Sequence, residues 1–283
     1  MPELPEVETT RKGIQPNIEG QKIVKLIVRN PNLRWPVDLS LTKTLPGLPI
    51  LNVGRRGKYL LLETPQGTIL IHLGMSGNLR VLPIGTLPQK HDHIDMEFEN
   101  GFLLRLNDPR RFGAFLWQAH ENAQALAHPL LAKLGPEPLS DDFNGEYLYK
   151  ASRNRKVAIK SLVMNSQIVV GAGNIYANES LFLSQIHPQT PASSLTRKQC
   201  DTLAANIKNV LADAIEQGGT TLKDFLSPDG KPGYFEQKLN VYGRDHQACP
   251  VCGTLIERII LNQRASYFCP ECQYVKKPRR KQS

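Results

Sequence analysis

Four cysteines near the C-terminus, in the order Cys249-x2-Cys252-x16-Cys269-x2-Cys272, constrain this chain more than any other feature. Two such knuckles, separated by a hairpin-length insert, offer four thiolates to the tetrahedral geometry that zinc takes. A four-cysteine set leaves no open coordination position, so one structural Zn2+ is expected. The competing reading, a pair of disulfides, belongs to small secreted domains. The start of the chain, MPELPEVETT, carries acids where a secretion signal would carry a basic stretch and an apolar core, which favours zinc and a cytoplasmic location. A segment of about forty residues has little core of its own, so metal binding would supply its folding energy. Within the insert, Asn262-Gln263-Arg264-Ala265-Ser266 reads either as an ordinary exposed hairpin turn or as one that offers Arg264 to a phosphate. The fifth cysteine, Cys200, falls on a helical pattern and reads as a small apolar residue.

A chain of 283 residues has room for two globular units besides this ribbon. Pro2 and Pro5 suit the first turn of a helix, and Glu3, Glu6 and Glu8 complement its positive end. Val7, Ile14 and Ile18 keep one apolar face until Gly20. The period then changes. Lys22–Arg29, Lys58–Glu63, Thr68–Leu73, Leu79–Leu82, His93–Glu99 and Phe102–Leu106 are β-branched or alternating runs between turn residues, which predicts an antiparallel sandwich or flattened barrel. Asn100-Gly101 predicts a type I′ hairpin turn. From about Glu137 apolar spacings of three and four predict helices over Phe143–Ala151, Val157–Met164, Asn174–Ser184 and Thr196–Gln217. The glycine-bearing turn before Asn174 leads into a helix whose free N–H groups suit a phosphate. No run approaches the length of about eighteen apolar residues that a membrane span needs, so no membrane association is expected.

The formal net charge of +9 points to a polyanionic partner. Five of those charges sit in the tail, on Lys276, Lys277, Arg279, Arg280 and Lys281, leaving +4 for the other residues. Short basic clusters inside folded sequence, Arg55-Arg56-x-Lys58, Arg110-Arg111 and Arg153 to Lys160, are the more telling feature, since phosphate-tracking grooves use dispersed cations.

MPELPEVET, the KYLLLE beginning at Lys58, HLGMSG at 72–77, KHDH at 90–93, DPRRFG at 108–113, GNIYANES at 173–180, GGTTLKDF at 218–225 and the four-cysteine ribbon together resemble bacterial formamidopyrimidine-DNA glycosylases, in order and over nearly the whole chain. The resemblance implies an α+β multidomain fold: an N-terminal β-sandwich with its helix over 1–134, a helical helix–two-turn–helix domain with a lesion-capping loop over 135–237, a zinc-ribbon β-hairpin over 238–275 and a basic tail over 276–283. It also implies damaged double-stranded DNA as partner, lying in a cleft between domains, and a monomeric enzyme. The implied activity is excision of oxidised purines followed by cleavage of the abasic site. The related endonuclease VIII branch, which prefers oxidised pyrimidines, usually has glycine where this chain has Leu4. A non-catalytic DNA-binding zinc protein is the third reading.

On this resemblance Pro2, freed by removal of Met1, is the nucleophile. A secondary α-amine near its ordinary pKa of about 8 keeps an appreciable neutral fraction. Glu3 shuttles protons, Glu6 supports it, Lys58 is a proton donor in base release or elimination, and Arg264 acts on the phosphate. Taken alone, Pro2, Glu3 and Glu6 are ordinary helix-start residues and Lys58 is a surface or phosphate lysine. A base must leave the stack to be excised, and the resemblance assigns filling of the gap to Met75, Arg110 and Phe112. DNA-backbone contacts carry over to His72, His91, Arg110, Arg155, Asn174 and Arg264. Glu179 and Lys160 brace the site or backbone, and Thr220 and Thr221 sit in the capping loop.

Overall fold

The computed structural model describes residues 2–121, 125–218 and 239–274. The capping loop with Thr220 and Thr221, and the tail beyond 275, lie outside the described residues. The described residues form two compact units, one over 2–134 and the other over 135–213 with 239–274. Among the described residues no helix is long and apolar enough to cross a membrane.

In the first unit, helix α1 (Leu4–Ile18) precedes β1 (Ile23–Val28), the short α2 (Leu41–Thr44), β2 (Asn52–Arg56), β3 (Tyr59–Glu63), β4 (Gly67–His72), β5 (Asn78–Pro83), β6 (Asp92–Phe98), β7 (Phe102–Asn107) and β8 (Ala114–Ala119). The strands form two antiparallel four-stranded sheets, β1-β6-β7-β5 and β2-β3-β4-β8. Ile23, Ile94, Phe98 and Leu104 of one sheet share a core with Val53, Leu60, Leu62 and Ile71 of the other, and Val7, Ile14 and Ile18 close its end. This is the sandwich that the alternating runs predict. Two strands escape those runs: β2 reads Asn-Val-Gly-Arg-Arg and is mostly polar, whereas β8 is a short run that follows the DPRRFG turn.

The β6–β7 turn also departs from expectation. Only Gly101 has positive φ, at +86°, and its N–H bonds Phe98 O. The connection is therefore a three-residue turn closed by a left-handed glycine, not type I′. The type I′ geometry appears instead at Asn262 (φ +48°) and Gln263 (φ +60°), where Leu261 pairs with Arg264.

Strand β6 is buried along both faces, because its polar side carries an ion network roofed by a loop. Arg105 on β7 lies opposite Asp95 and donates Nε and Nη2 to its two oxygens, both at 2.7 Å. Its Nη1 and Nη2 also reach Leu87 O and Thr86 O at 3.1 and 2.8 Å. Arg29 donates to Asp95 and Arg80 to Asp92, and Asp92 accepts from Gln89 N at 2.7 Å. These bonds fix the 84–91 segment, which ends at His91. Burial alone would raise the Asp95 carboxyl, but hydrogen bonds from Arg105 and Arg29, with their charges, hold it below the ordinary carboxylate range.

The second unit contains α3 (Gly145–Ser152), α4 (Ile159–Val163), α5 (Asn174–Leu183), α6 (Arg197–Glu216) and the hairpin β9 (Glu257–Leu261)–β10 (Arg264–Phe268). Each long helix falls within a residue or two of its predicted span. Asn144 caps α3 by accepting from Tyr147 N. Turns at Asn165–Ile168 and around Gly171 join α4 to α5. Helix α5 is buried from Ile175 to Phe182, and Phe182 shares a cluster with Val241, Cys249, Ile256 and Cys269, so the cysteine ribbon borrows its core from the helices.

Because Asp95 and Arg105 are each about 1% exposed, removing one partner strands a buried charge, and Asp95→Ala is expected to destabilise the first unit by about 3–5 kcal/mol. The depressed carboxyl contributes stability that is fully present above its unfolded pKa of about 4 and lost as pH falls through the lower folded value. Urea unfolding of the wild type at pH 7 and pH 3 is thus expected to differ more than that of Asp95→Ala; identical pH dependence contradicts the assignment.

Candidate DNA-processing site

Helix α1 begins with a reciprocal cap. Glu3 is the N-cap residue, its side chain accepts from the Glu6 backbone, and Glu3 N donates to Glu6 Oε2 at 2.8 Å. Pro2 therefore lies just outside the helix, not in its first turn. Pro2, Glu3 and Glu6 are all buried. A second tie runs from α1 to the turn that carries Lys58. Glu8 Oε2 accepts from Arg55 Nε at 2.9 Å, and Arg55 Nη1 donates to Gly57 O at 2.9 Å. Gly57 has φ +57°, so the β2–β3 turn bends at a left-handed residue and leaves Lys58 half-buried ahead of β3.

Lys58 and Arg34 both repel a proton on His72, after burial as the larger cause, and His72 is pushed down to about 4. Its Nδ1 accepts from Gly74 N at 3.0 Å, so a neutral ring carries its proton on Nε2. The Tyr59 ring lies 4.8 Å from the His72 ring. His91, at φ +73°, follows the loop pinned by Arg105.

The HLGMSG and DPRRFG segments meet backbone to backbone. A Cβ on Gly74 would lie 2.5 Å from Gly113 N and from Phe112 C, so only glycine permits the approach. Met75 is half-buried, whereas Arg110 and Phe112 are exposed, with the Arg110 guanidinium 4.9 Å from the centre of the Phe112 ring.

In the second unit, Arg264 is exposed and directly follows the type I′ turn. The strand behind it is anchored from the helices. Lys160, only 1% exposed, donates to Ala265 O at 2.7 Å and Ser266 Oγ at 2.6 Å. Asn174 Nδ2 donates to the same carbonyl at 3.1 Å, Asn178 Oδ1 accepts from Tyr267 N, and Asn262 Nδ2 reaches Ser161 Oγ. Asn174 thus spends one side-chain donor inside the protein, while Gly173, with no side chain, caps α5. Glu179 is buried and accepts four N–H bonds, from Asn240 N and Nδ2, Val241 N and Tyr242 N, at 2.8–2.9 Å. Arg155 is exposed after α3.

The basic clusters are therefore less uniform than their composition suggests. Arg55 is bound as described, Arg56 donates to Leu134 O, Arg153 donates to Leu195 O over the Tyr149 ring, and Lys160 is buried. Their charges serve carbonyl oxygens that need donors within the fold, which leaves Arg110, Arg111, Arg155 and Lys156 among the exposed cations.

The four ribbon sulfurs lie within 4.8 Å of one another, with Cys252–Cys269, Cys252–Cys272 and Cys249–Cys272 separations of 3.4, 3.5 and 3.9 Å. Tetrahedral Zn–S bonds of about 2.3 Å imply sulfur separations of about 3.8 Å, which these match. None of the cysteines is in a disulfide. The donor set therefore fits one structural Zn2+. Cys200 is buried, as its helical position suggests.

The sequence reading missed Asp108, Arg55 and Arg105. Each role joins a partner that no motif links to it, Glu8 for Arg55, Asp95 for Arg105 and Ser76 for Asp108; the one local signal is the Asp-Pro pair at a turn.

Three family models match in order: the formamidopyrimidine-DNA glycosylase N-terminal domain over residues 1–115, its H2TH domain over 134–226, and the zinc finger found in FPG and IleRS over 247–275. The formamidopyrimidine-DNA glycosylase of Hydrogenovibrio crunogenus is 66% identical over 273 residues, covering 96% of each chain. A Lactococcus lactis Fpg variant in complex with Fapy-dG containing DNA superposes with a TM-score of 0.89 at 33% identity, over 97% of this chain and 100% of that one. The Lactococcus lactis Fpg bound to abasic-site DNA gives a TM-score of 0.88 at 33% identity and the same coverage. With glycosylase models over both large segments and a four-thiolate ribbon after them, the chain belongs to the formamidopyrimidine-DNA glycosylase family.

Proposed function

We propose that this chain, a base-excision-repair DNA glycosylase with abasic-site lyase activity, carries out both reactions through the amine of Pro2. The observation that carries the reading is the reciprocal Glu3–Glu6 cap, which holds the residue after Pro2 in one buried geometry. With Met1 removed, the neutral Pro2 nitrogen attacks sugar C1′ and the damaged base leaves with the glycosidic electron pair. The nitrogen gives up its own proton to a base, Glu3 delivers a proton to the sugar ring oxygen, and the ring opens as the freed nitrogen lone pair forms an iminium with C1′. The iminium accepts electrons from the C2′–H bond, so a base removes that proton and the 3′-phosphate departs. A second elimination expels the 5′-phosphate, and hydrolysis of the remaining iminium frees Pro2.

Lys58 serves as proton donor in base release or elimination, positioned by the Glu8–Arg55–Gly57 chain. Arg264 meets a phosphate and assists the second elimination. His72, His91, Arg110, Arg155 and Asn174 contact the backbone; His72 does so as a neutral Nε2–H donor, since Nδ1 is occupied. Met75, Arg110 and Phe112 fill the place of the extruded nucleotide. Cys249, Cys252, Cys269 and Cys272 would hold the zinc, which would tie the ribbon together and supply no chemistry to the reaction. The enzyme acts as a monomer in the cytoplasm, with the domain limits given by the sequence.

A duplex with 8-oxoguanine opposite cytosine is expected to yield a one-nucleotide gap with phosphate on both flanking ends, read by gel mobility. A 3′-unsaturated aldehyde as the final product, or an intact abasic strand, contradicts the two-step elimination. Arg55→Ala is expected to slow single-turnover base excision by roughly ten-fold, as losing one or two aligned bonds worth about 1.4 kcal/mol would, and to add nothing when Lys58 is already replaced.

His72 is expected to titrate near pH 4 by NMR, so its contact with DNA persists unchanged from pH 8 to pH 5.5. A midpoint near the ordinary value of about 6.5 would make it a cationic contact and contradict the neutral-donor assignment.

A further inference from the structure

We infer that Asp108 is the positioning residue for the base-extrusion wedge: its buried carboxylate bolts together the two turns that carry Met75, Arg110 and Phe112. The inference rests on the wedge reading proposed above.

Asp108 is fully buried although it opens an exposed turn. Aspartate ahead of proline normally uses its side chain locally, accepting from an N–H two residues on. Here the turn is closed by the backbone alone, with Arg111 N donating to Asp108 O at 3.1 Å. The carboxylate is thereby available for more distant donors. Oδ2 accepts from Gly113 N at 2.7 Å, at the far end of the turn, and Oδ1 accepts from Ser76 Oγ at 3.3 Å, next to Met75. The main chain of the same residue receives His93 Nε2 at 2.8 Å on its carbonyl and donates its N–H to His91 O at 3.1 Å.

Packing does not account for how Phe112 is held, because its side chain is 45% exposed. Its direction is set by the backbone on either side. Arg111 before it is in the left-handed region at φ +58°, which a side-chain-bearing residue adopts only at a cost. Gly113 after it has no room for a Cβ, which would lie 2.7 Å from His72 O and 2.9 Å from Asp108 Oδ2. An unfavourable conformation between two tight contacts persists only where neighbouring bonds over-determine it. The Asp108–Gly113 bond closes that loop, and the Asp108–Ser76 bond keeps its register with Met75.

The test compares Asp108→Ala, Asp108→Asn, Ser76→Ala and Phe112→Ala in the full-length zinc-loaded protein, by single-turnover rates on an 8-oxoguanine:cytosine duplex and on a nicked duplex with a preformed abasic site. Asp108→Ala is expected to slow excision from the intact duplex at least ten-fold, with a several-fold smaller loss on the abasic substrate. Asp108→Asn, whose amide oxygen accepts from Gly113 N while its NH2 donates to Ser76 Oγ, is expected to recover most of that loss. Ser76→Ala, which removes one bond and keeps the loop closed, is expected to show the same substrate bias at smaller size, and it decides the matter if Asp108→Ala does not fold. Combining Asp108→Ala or Ser76→Ala with Phe112→Ala is expected to be no slower than Phe112→Ala alone. Equal losses on both substrates, or multiplication of the losses in the double variants, overturns the inference. If Phe112→Ala itself shows no bias between substrates, the wedge reading fails, whereas bias in Phe112→Ala without it in the Asp108 and Ser76 variants removes only the role given to Asp108.

Discussion

The first turn of α1 sets the terms for the proposed chemistry. A helix start leaves backbone N–H groups unsatisfied, and the usual remedy is an N-cap side chain with more chain in front of it. A nucleophile at residue 2 leaves almost nothing in front. The Glu3–Glu6 exchange resolves this by satisfying two donors with side chains from within the helix itself, so that the terminal residue need not take part. Glu3 is then held by its own cap in the place where the proposed mechanism requires a proton shuttle. Glu8, one turn on, extends the same helix's influence to the Lys58 turn through Arg55.

The same economy recurs in both units. Charged groups are spent on carbonyls and amides of the protein: Arg105 on the 86–87 carbonyls, Glu179 on the amides of residues 240–242, and Lys160, which lies in a basic cluster that composition alone would assign to DNA, on Ala265 O. An exposed arginine on a free loop would lose several rotatable bonds of entropy on meeting a phosphate. In the phosphate contact proposed for Arg264, part of that cost falls away because the strand beneath it is anchored by Lys160, Asn174 and Asn178, and its turn by Asn262. The type I′ turn with glutamine at a left-handed position is strained, and these anchors are what keep it in place.

Local signals carried much of this architecture. The cysteine spacing specified the ribbon because metal geometry is short-range, and helix spans were readable because an apolar face repeats along one segment. What escaped the sequence depends on pairings that no repeat or spacing announces. Strand β2 has the composition of a loop and is a strand because β3 pairs with it. Asp95 and Arg105 look like solvent-facing residues until the 84–91 loop covers them, and Asn100-Gly101 favours a turn type that the β6–β7 register does not use. At the site, the motif residues could be named from the resemblance, but the groups that hold them could not: Arg55 reads as one more cation, and Asp108 as one more turn aspartate. Their meaning lies in Gly57, Gly113 and Ser76, which no periodicity connects to them.

The proposed mechanism turns on one step, passage of the covalent chemistry through the amine of residue 2, next to the α1 cap. Reduction with borohydride during turnover of an 8-oxoguanine:cytosine duplex, followed by proteolysis and mass spectrometry of the DNA-linked peptide, tests it most directly. A single adduct is expected, on an N-terminal peptide that begins at Pro2, with the remnant of the sugar on its nitrogen. Attachment at Lys58 or any other lysine, or an adducted peptide that still begins with Met1, would contradict it.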